Sequence, residues 1–278
     1  MAADNELYDK KPNILSIWSD VKQSIHHPLS IYLDYDGTLT PIVSNPDDAQ
    51  VNSSMRNTID ELSKKYTTSI ITGRRIDAIN KFLQLPNLYY GASHGFDVYK
   101  PELVSLHAPA EHYLDILGKF RDTMRAAVSN VKGSLVEDCK YSISIHYRNV
   151  STPADIEYIS NSVDSVLQQC NESSELKLQK HGGKCVWEIK PSMSWNKGYA
   201  VDYLINLLYG SNNSTGSMIP VYIGDDVTDE DAFEVLKKYK NSITVFVVNN
   251  TPSRATHAKY TVQDQDQVQK LLQNFIQL

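Results

Sequence analysis

Cysteine is scarce in this chain. There are three, Cys139, Cys170 and Cys185, an odd number with no spacing that suits a metal ion. That excludes a disulfide-built secreted scaffold and makes a reduced intracellular protein the expectation. Long hydrophobic runs are lacking too. The densest, Val245-Phe246-Val247-Val248, is far short of a bilayer span, so no membrane association is expected. No basic block is present. With 27 Lys plus Arg against 33 Asp plus Glu the net charge is −6, which argues against nucleic-acid binding. A small anionic substrate stays open, because a local cluster or a metal ion can override net charge. The first residues, Met1 to Glu6, are polar and acidic and read as no secretory signal, so the cytoplasm is the expected location.

What is there fits a globular protein. The 278 residues suffice for one large domain or two modest ones, and 41% of them are hydrophobic. Residues 1–12 read as loosely ordered, and Gly210 to Ser217 as a flexible surface loop. Near the start, continuous apolar runs alternate with helical stripes. Ser30-Ile31-Tyr32-Leu33 and Thr68-Ser69-Ile70-Ile71 read as buried strands. Met55, Ile59, Leu62 and Tyr66, then Ile76, Ile79, Phe82 and Leu83, read as helices. Strands without polar alternation belong to a parallel sheet covered on both faces.

The middle differs. Tyr113, Leu117, Phe120, Met124 and Val128 form a helical stripe. Ser142 to Arg148 alternates strictly, as a half-buried antiparallel strand does. A helix follows through Ile156, Ile159, Val163 and Val166. Short strands are then expected near Leu176–Gln179 and Cys185–Ile189, joined by His181 to Lys184. The end returns to the first style, with a helix around Val201–Leu208, a strand over Ile219–Ile223, a helix over Ala232–Tyr239, a strand over Ile243–Val248 and a closing helix over Val268–Phe275. The expected architecture is a parallel α/β core over residues 1–107 and 193–278, interrupted by an α+β domain over residues 108–192.

In a parallel α/β sheet the site lies beyond the carboxyl ends of the strands. Three polar segments fall there: Asp34-Tyr35-Asp36-Gly37-Thr38-Leu39, Thr72-Gly73-Arg74-Arg75, and Gly224-Asp225-Asp226-Val227-Thr228-Asp229. Lys197 adds a cation at a helix start. Asp34, Asp36, Asp225 and Asp226 in one crevice would repel one another, and a hard cation such as Mg²⁺ relieves that. With a hydroxyl and a lysine added, the set describes phosphoryl transfer to an aspartate. In that chemistry Asp34 would be the nucleophile and Asp36 the acid and base, Thr72 and the adjacent backbone N–H groups would hold the phosphate oxygens, and Lys197 would offset their charge. Singly each signal is weak. Asp-x-Asp-Gly occurs in surface turns and calcium loops, although an EF-hand would need glycine at Leu39 and glutamate at Asn45. Gly224-Asp225-Asp226 can be a helix cap and Lys197 a surface lysine. Their order and placement carry the reading.

The motifs resemble those of the trehalose-6-phosphate phosphatase family, within the haloacid-dehalogenase superfamily. The matching segments are Leu33 to Pro41, Thr72-Gly73-Arg74, His94-Gly95, Glu137-Asp138-Cys139-Lys140, His146-Tyr147-Arg148, Glu188-Ile189-Lys190-Pro191, Asn196-Lys197-Gly198 and Tyr222 to Phe233. They span roughly residues 29–276. Thr72 stands where serine is commoner, and Ser93-His94-Gly95 lacks a frequent asparagine. The resemblance implies a Rossmann-like haloacid-dehalogenase core with an inserted α+β cap that sets substrate specificity. It implies Mg²⁺ on the Asp34 side chain, the Asp36 main-chain oxygen and Asp225, with Asp226 and Asp229 behind them orienting waters and Lys197. It implies substrate contacts at Arg74, His94, Gly95 and Asn196 in the core and at Glu137, Lys140, Arg148 and Glu188 in the cap. Trp187 and Trp195 are assigned to the hydrophobic core rather than to a sugar.

The activity so implied is hydrolysis of trehalose 6-phosphate, with a sugar phosphate as partner and a trehalose-6-phosphate synthase as a conceivable associate. Two other readings stand beside it. One is a phosphatase for another sugar phosphate, such as a sucrose or glucosylglycerol phosphate. The other is a non-catalytic regulatory subunit of a synthase complex, which would not need to keep Asp34, Asp36, Lys197 and Asp225.

Overall fold

The structure is a computed structural model that describes residues 6–43, 46–183, 185–193, 195–210, 217–239 and 241–278. Along the chain run β1 (Glu6–Leu7), α1 (Trp18–Gln23), β2 (Leu29–Leu33), α2 (Ser53–Lys65), β3 (Thr67–Ile71), α3 (Ile76–Leu83), β4 (Tyr89–Ala92), β5 (Asp97–Lys100) and β6 (Val104–His107). Then come α4 (Leu114–Ala127), β7 (Leu135–Asp138), β8 (Ile143–His146), α5 (Pro153–Glu172), β9 (Leu178–Gly183) and β10 (Val186–Pro191). The chain finishes with α6 (Lys197–Tyr209), β11 (Ile219–Gly224), α7 (Glu230–Leu236), β12 (Ile243–Val247), β13 (Ala255–Thr256), β14 (Tyr260–Val262) and α8 (Gln265–Ile276). Two compact units result, Met1–His107 with Trp195–Leu278, and Ala108–Ser194.

The larger unit is built on an eight-stranded sheet in the order β14-β12-β11-β2-β3-β4-β5-β6. The first six are parallel neighbours, and β5 and β6 close the sheet as an antiparallel edge. Its central strands are buried on both faces, hence their continuous apolar sequence. Ile31, Leu33, Val221, Ile223, Val245 and Val247 pack in one layer with Met55, Ile59, Ile79, Leu271 and Phe275, from α2, α3 and α8. Tyr32, Tyr222 and Phe246, on the alternate positions, pack in the other with Val201, Leu204 and Phe233, from α6 and α7. Each aromatic or branched side chain so buried contributes roughly 1.5–3 kcal/mol.

The smaller unit is an antiparallel sheet in the order β7-β8-β10-β9 with α4 and α5. Val136, Ile143, Ile145, Leu178 and Ile189 are buried with Phe120, Met124, Ile159 and Val163 of the helices. The expected helices over Tyr113–Val128 and Ile156–Val166 are α4 and α5. The expected strand to Arg148 stops at His146, because Tyr147 and Arg148 already belong to the turn closed by Val150 N–H on Tyr147 O.

Two expectations fail. The chain start is ordered from Glu6 onward: β1 pairs with β13, and the Tyr8 hydroxyl donates to Thr251 O at 2.7 Å. The segment His181 to Gly183 is strand, not loop. It pairs with Val186 to Glu188, and Cys185, at φ 60°, takes the turn. Of the expected loop Gly210 to Ser217, residues 211–216 lie outside the described residues. Among the described residues no helix is long and apolar enough to cross a membrane.

Candidate active site

Because β11, β2, β3 and β4 are adjacent and parallel, the residues just past their ends line up along one edge: Asp225, Asp34, Thr72 and Ser93. Asp34 N–H still bonds to Ile223 O at 2.9 Å, so the nucleophile candidate sits one step past the last sheet residue. Asp34, Asp225 and Asp229 each offer a carboxylate oxygen within 4.8 Å of the others, and all three are buried.

Lys197 enters this cluster from the first turn of α6. Its Nζ lies 2.6 Å from Asp34 Oδ1 and 2.8 Å from Asp229 Oδ1, with the side chain 4% exposed. Burial works against the ammonium, but Asp229 and Asp34 outweigh it and hold Lys197 above the ordinary lysine value. Three buried carboxylates share this one ammonium. Burial pushes Asp34 well above the ordinary range, partly opposed by Lys197 and reinforced by Asp229 and Asp225. Burial, then Asp229, pushes Asp225 up to about 7. An all-oxygen set under this strain suits a hard divalent cation.

Asp229 is the most fully engaged of the three. Its Oδ1 accepts from Lys197 and from the Tyr222 hydroxyl at 2.7 Å. Its Oδ2 accepts from the backbone N–H groups of Asp225 and Asp226 at 3.0 and 2.9 Å. With four donors on it, Asp229 supports Lys197 and the Asp225 backbone rather than offering a lone pair to a ligand. Asp226 stands exposed at the start of the following turn, and neither carboxylate on Lys197 is its own. The implied role of orienting Lys197 therefore falls to Asp229.

Asp36 and Arg74 are joined. Arg74 Nε lies 2.7 Å from Asp36 Oδ2 and one terminal nitrogen 2.6 Å from Oδ1, a bidentate clamp. The Arg74 guanidinium also lies over the Phe82 and Tyr35 rings, at 5.1 and 5.6 Å. The structure thus gives Arg74, expected to contact substrate, a hold on the proton-transfer candidate. Thr72 is buried, and its Oγ1 accepts from Arg74 N–H at 3.1 Å, so the hydroxyl proton remains to be donated.

Next to this loop, Ser93, His94 and Gly95 are all left-handed, with φ of 50°, 59° and 88°. Such a run of L-residues costs roughly 1–2 kcal/mol at each non-glycine. It aims the N–H groups of Ser93 and His94 at the carbonyls of Arg74 and Thr72, both at 2.8 Å. Gly95 has no alternative: a Cβ there would lie 2.6 Å from Ala200 Cβ in α6. Trp195 Nε1 donates to Gly95 O at 2.7 Å, and Asn196 caps α6 by accepting from Tyr199 N–H at 3.0 Å. His94 and Gly95 thereby brace the Thr72-Gly73-Arg74 loop, and Asn196 the start of the helix that carries Lys197. Trp195 and Trp187 remain part-exposed, Trp187 stacked on Tyr147 at 4.1 Å, so neither belongs wholly to the core.

In the smaller unit, strand register places Glu137, Ser144, Glu188 and His181 side by side in one row across all four strands. Glu137 meets His146 Nε2 at 2.8 Å. Glu188 accepts from the Ser142 hydroxyl at 3.1 Å and pairs with Lys190 at 2.8 Å. Lys140 lies in the β7–β8 turn at φ 70°, its Nζ 4.7 Å from the Tyr141 ring, and Arg148 is exposed past β8. Sequence reasoning included Tyr222 in a motif without giving it a role, and did not single out Asn249 and Gln265 beside Gly37. Tyr222 could have been suspected, since it precedes the Gly-Asp-Asp turn on the alternate face of its strand.

Comparisons with known proteins show the family. The family model for trehalose-phosphatase matches residues 32–266. A probable trehalose-phosphate phosphatase D of Arabidopsis thaliana is 33% identical over 276 residues, covering 96% of this chain and 72% of that protein. A probable trehalose-phosphate phosphatase 4 of Oryza sativa subsp. japonica is 35% identical over 272 residues, covering 96% and 71%. The solved trehalose-6-phosphate phosphatase C-terminal domain of C. albicans superposes with a TM-score of 0.75 at 24% identity, covering 96% of this chain and 98% of that one, which shows a shared fold. By the span of the family match and the identity to these relatives, the chain belongs to the trehalose-phosphatase family.

Proposed function

We propose that this chain hydrolyses trehalose 6-phosphate to trehalose and phosphate through an aspartyl-phosphate on Asp34. The observation that carries the reading is the buried Asp34 carboxylate, 2.6 Å from Lys197 at the carboxyl edge of the sheet, in a chain of this family. An Asp34 oxygen bonds to phosphorus as the bond from phosphorus to the sugar oxygen breaks. Asp36 supplies the proton that the leaving oxygen needs. A water then attacks phosphorus, gives its proton to Asp36 and releases phosphate, restoring Asp34. Arg74 takes one lone pair on each Asp36 oxygen, so a second on each remains to carry that proton while the clamp fixes the direction in which it is offered.

Thr72 and the backbone N–H groups of its loop hold phosphate oxygens, and Lys197 offsets their charge. The residues present fit Mg²⁺: the Asp34 and Asp225 carboxylates and the Asp36 main-chain oxygen would hold it, with Asp229 retained by its four donors. When bound it supplies positive charge against the phosphate oxygens. The smaller unit, through Glu137, Lys140, Arg148 and Glu188, is the proposed reader of the disaccharide.

Phosphate release from trehalose 6-phosphate, glucose 6-phosphate and sucrose 6-phosphate tests this, after EDTA treatment and with Mg²⁺ restored. Trehalose 6-phosphate is expected to lead by about 100-fold or more in kcat/KM, the scale on which unmatched buried polar groups reject a substrate. Activity should need Mg²⁺, and Asp34→Asn should keep less than about a thousandth of the rate. Equal turnover of glucose 6-phosphate would remove the substrate assignment.

A further inference from the structure

Two amide side chains that belong to none of the sequence motifs reach the cation end of the site. Asn249 Nδ2 donates to Gly37 O at 2.5 Å and to Asp225 Oδ2 at 3.4 Å. Gln265 Nε2 donates to the same Gly37 O at 2.5 Å and to Asn249 Oδ1 at 2.9 Å. One carbonyl thus carries two amide donors, and the Asn249 amide is engaged at both its nitrogen and its oxygen. We propose that Asn249 and Gln265 are positioning residues for divalent-cation binding, holding the Gly37 turn and the Asp225 carboxylate in the arrangement that a cation needs. The inference rests on the metal-dependent reading of the proposed function.

Asn249 and Gln265 stand on a firm base. Asn249 comes after β12 at φ 49°, with Asn250 at φ 58°, a left-handed pair that asparagine tolerates better than most residues. Its backbone N–H bonds to Gln263 O at 2.9 Å, which extends the β12–β14 ladder to the amide itself. Gln265 is the first residue of α8, capped by Asp264 on Gln267 N–H at 3.0 Å and seated by the fully buried Val268, Leu271, Leu272 and Phe275. The other end of the hooks is equally constrained. Gly37, at φ 85°, is pressed so closely on Asp225 that a Cβ there would lie 2.1 Å from Asp225 Oδ2. A turn in that contact cannot shift toward the carboxylate without displacing it. Gly37 is also next to Asp36, whose main-chain oxygen is one of the proposed ligands. The two amides therefore fix the peptide beside one ligand and the side chain of another. Groups that orient metal ligands in this way are typically worth 10–100-fold in metal affinity.

The test uses the full chain stripped with EDTA, with Mn²⁺ as a spin probe titrated by electron paramagnetic resonance. Asn249→Gly removes the amide and keeps the left-handed backbone. Gln265→Met keeps length and removes the donor on a half-exposed helix start, where misfolding is not expected. The Mn²⁺ Kd should rise about 10-fold in Asn249→Gly and about 3-fold in Gln265→Met. The double variant should lose less than the product, because both act on one carbonyl. The Mg²⁺ concentration for half-maximal phosphatase activity should rise in parallel, with lost activity recovered at higher Mg²⁺. Melting temperatures that fall while Mn²⁺ affinity stays within twofold would reduce both residues to structural supports and overturn the inference. Wild-type protein that binds no Mn²⁺ would overturn the metal reading along with it, whereas wild-type binding unaltered in both variants would overturn this inference alone.

Discussion

Asp225→Asn should stabilise the metal-free protein, and more so as the pH rises. The wild-type carboxyl is buried beside Asp229 and moves from an ordinary 3.8 to about 7. A carboxyl with a raised folded-state pKa contributes stability that is fully present below the unfolded value and is lost as the pH rises to and through about 7. By linkage the folded state forfeits roughly 4 kcal/mol at pH 8, of which roughly 2 kcal/mol has already gone at pH 5. The amide has the same shape and carries no charge; with its oxygen at the Oδ2 position it still accepts from Asn249, and its nitrogen at the Oδ1 position donates to the Thr38 hydroxyl, which turns to accept. Between pH 5 and 8 the variant should therefore gain roughly 2–3 kcal/mol on wild type, or roughly 5–10 °C in Tm. Melts in EDTA at several pH values measure this. Saturating Mg²⁺ at about 100 times its Kd should return roughly 2.7 kcal/mol to wild type and little to the variant. Parallel stability curves for the two proteins across pH 5–8 without metal would refute the claim that this cluster is electrostatically strained.

Lys197→Met should do the opposite. It removes the one ammonium among three buried carboxylates, so a loss of roughly 3–5 kcal/mol is expected in a denaturant melt, together with loss of turnover. Glu188→Ala and Arg148→Ala should each lower kcat/KM on trehalose 6-phosphate by roughly 10–100-fold, the worth of a charged hydrogen bond, and leave a small aryl phosphate nearly unaffected. Equal losses on both substrates would assign these two residues to the fold or the chemistry instead.

The candidate site was readable where its residues sit at strand ends. Ile31 to Leu33, Ile70 to Ile71 and Ile219 to Ile223 are continuous apolar runs, and the residues just C-terminal to each run necessarily lie on the carboxyl edge. Short strands without such runs escaped. β4 carries two tyrosines and a glycine, β7 two acids, and β5 and β6 are short antiparallel edges of mixed composition. Gly182-Gly183 reads as a turn, yet both residues are paired with β10, because the turn is made by Cys185. The missed interactions are those created by long-range approach. Arg74 and Asp36 are 38 residues apart, Asn249 and Gly37 are 212 apart, and Gln265 and Gly37 are 228 apart. No local pattern distinguishes Asn249 from any asparagine in a turn. Only the folded sheet brings it to Asp225.

On the proposed function, the division of labour comes from the groups that each unit can recognise. The larger unit presents charges and donors suited to a phosphate group, which every sugar phosphate carries. Nothing in Asp34, Asp36, Thr72 or Lys197 separates one ester from another. The smaller unit presents a different chemistry. Glu137, Ser144, Glu188 and His181 lie on four successive strands, so the row spans three strand spacings, about 14 Å. That is room for two pyranose rings end to end, not one. Its carboxylates are acceptors fixed in place, Glu137 by His146 and Glu188 by Ser142 and Lys190, so hydroxyls meet them without the entropy of ordering flexible side chains. A monosaccharide has hydroxyls for only part of such a row and leaves the rest of its acceptors without partners. Discrimination then scales with the number of acceptors left unmatched, which is why the aryl phosphate, having no sugar hydroxyls, is the control that separates sugar reading from phosphoryl transfer.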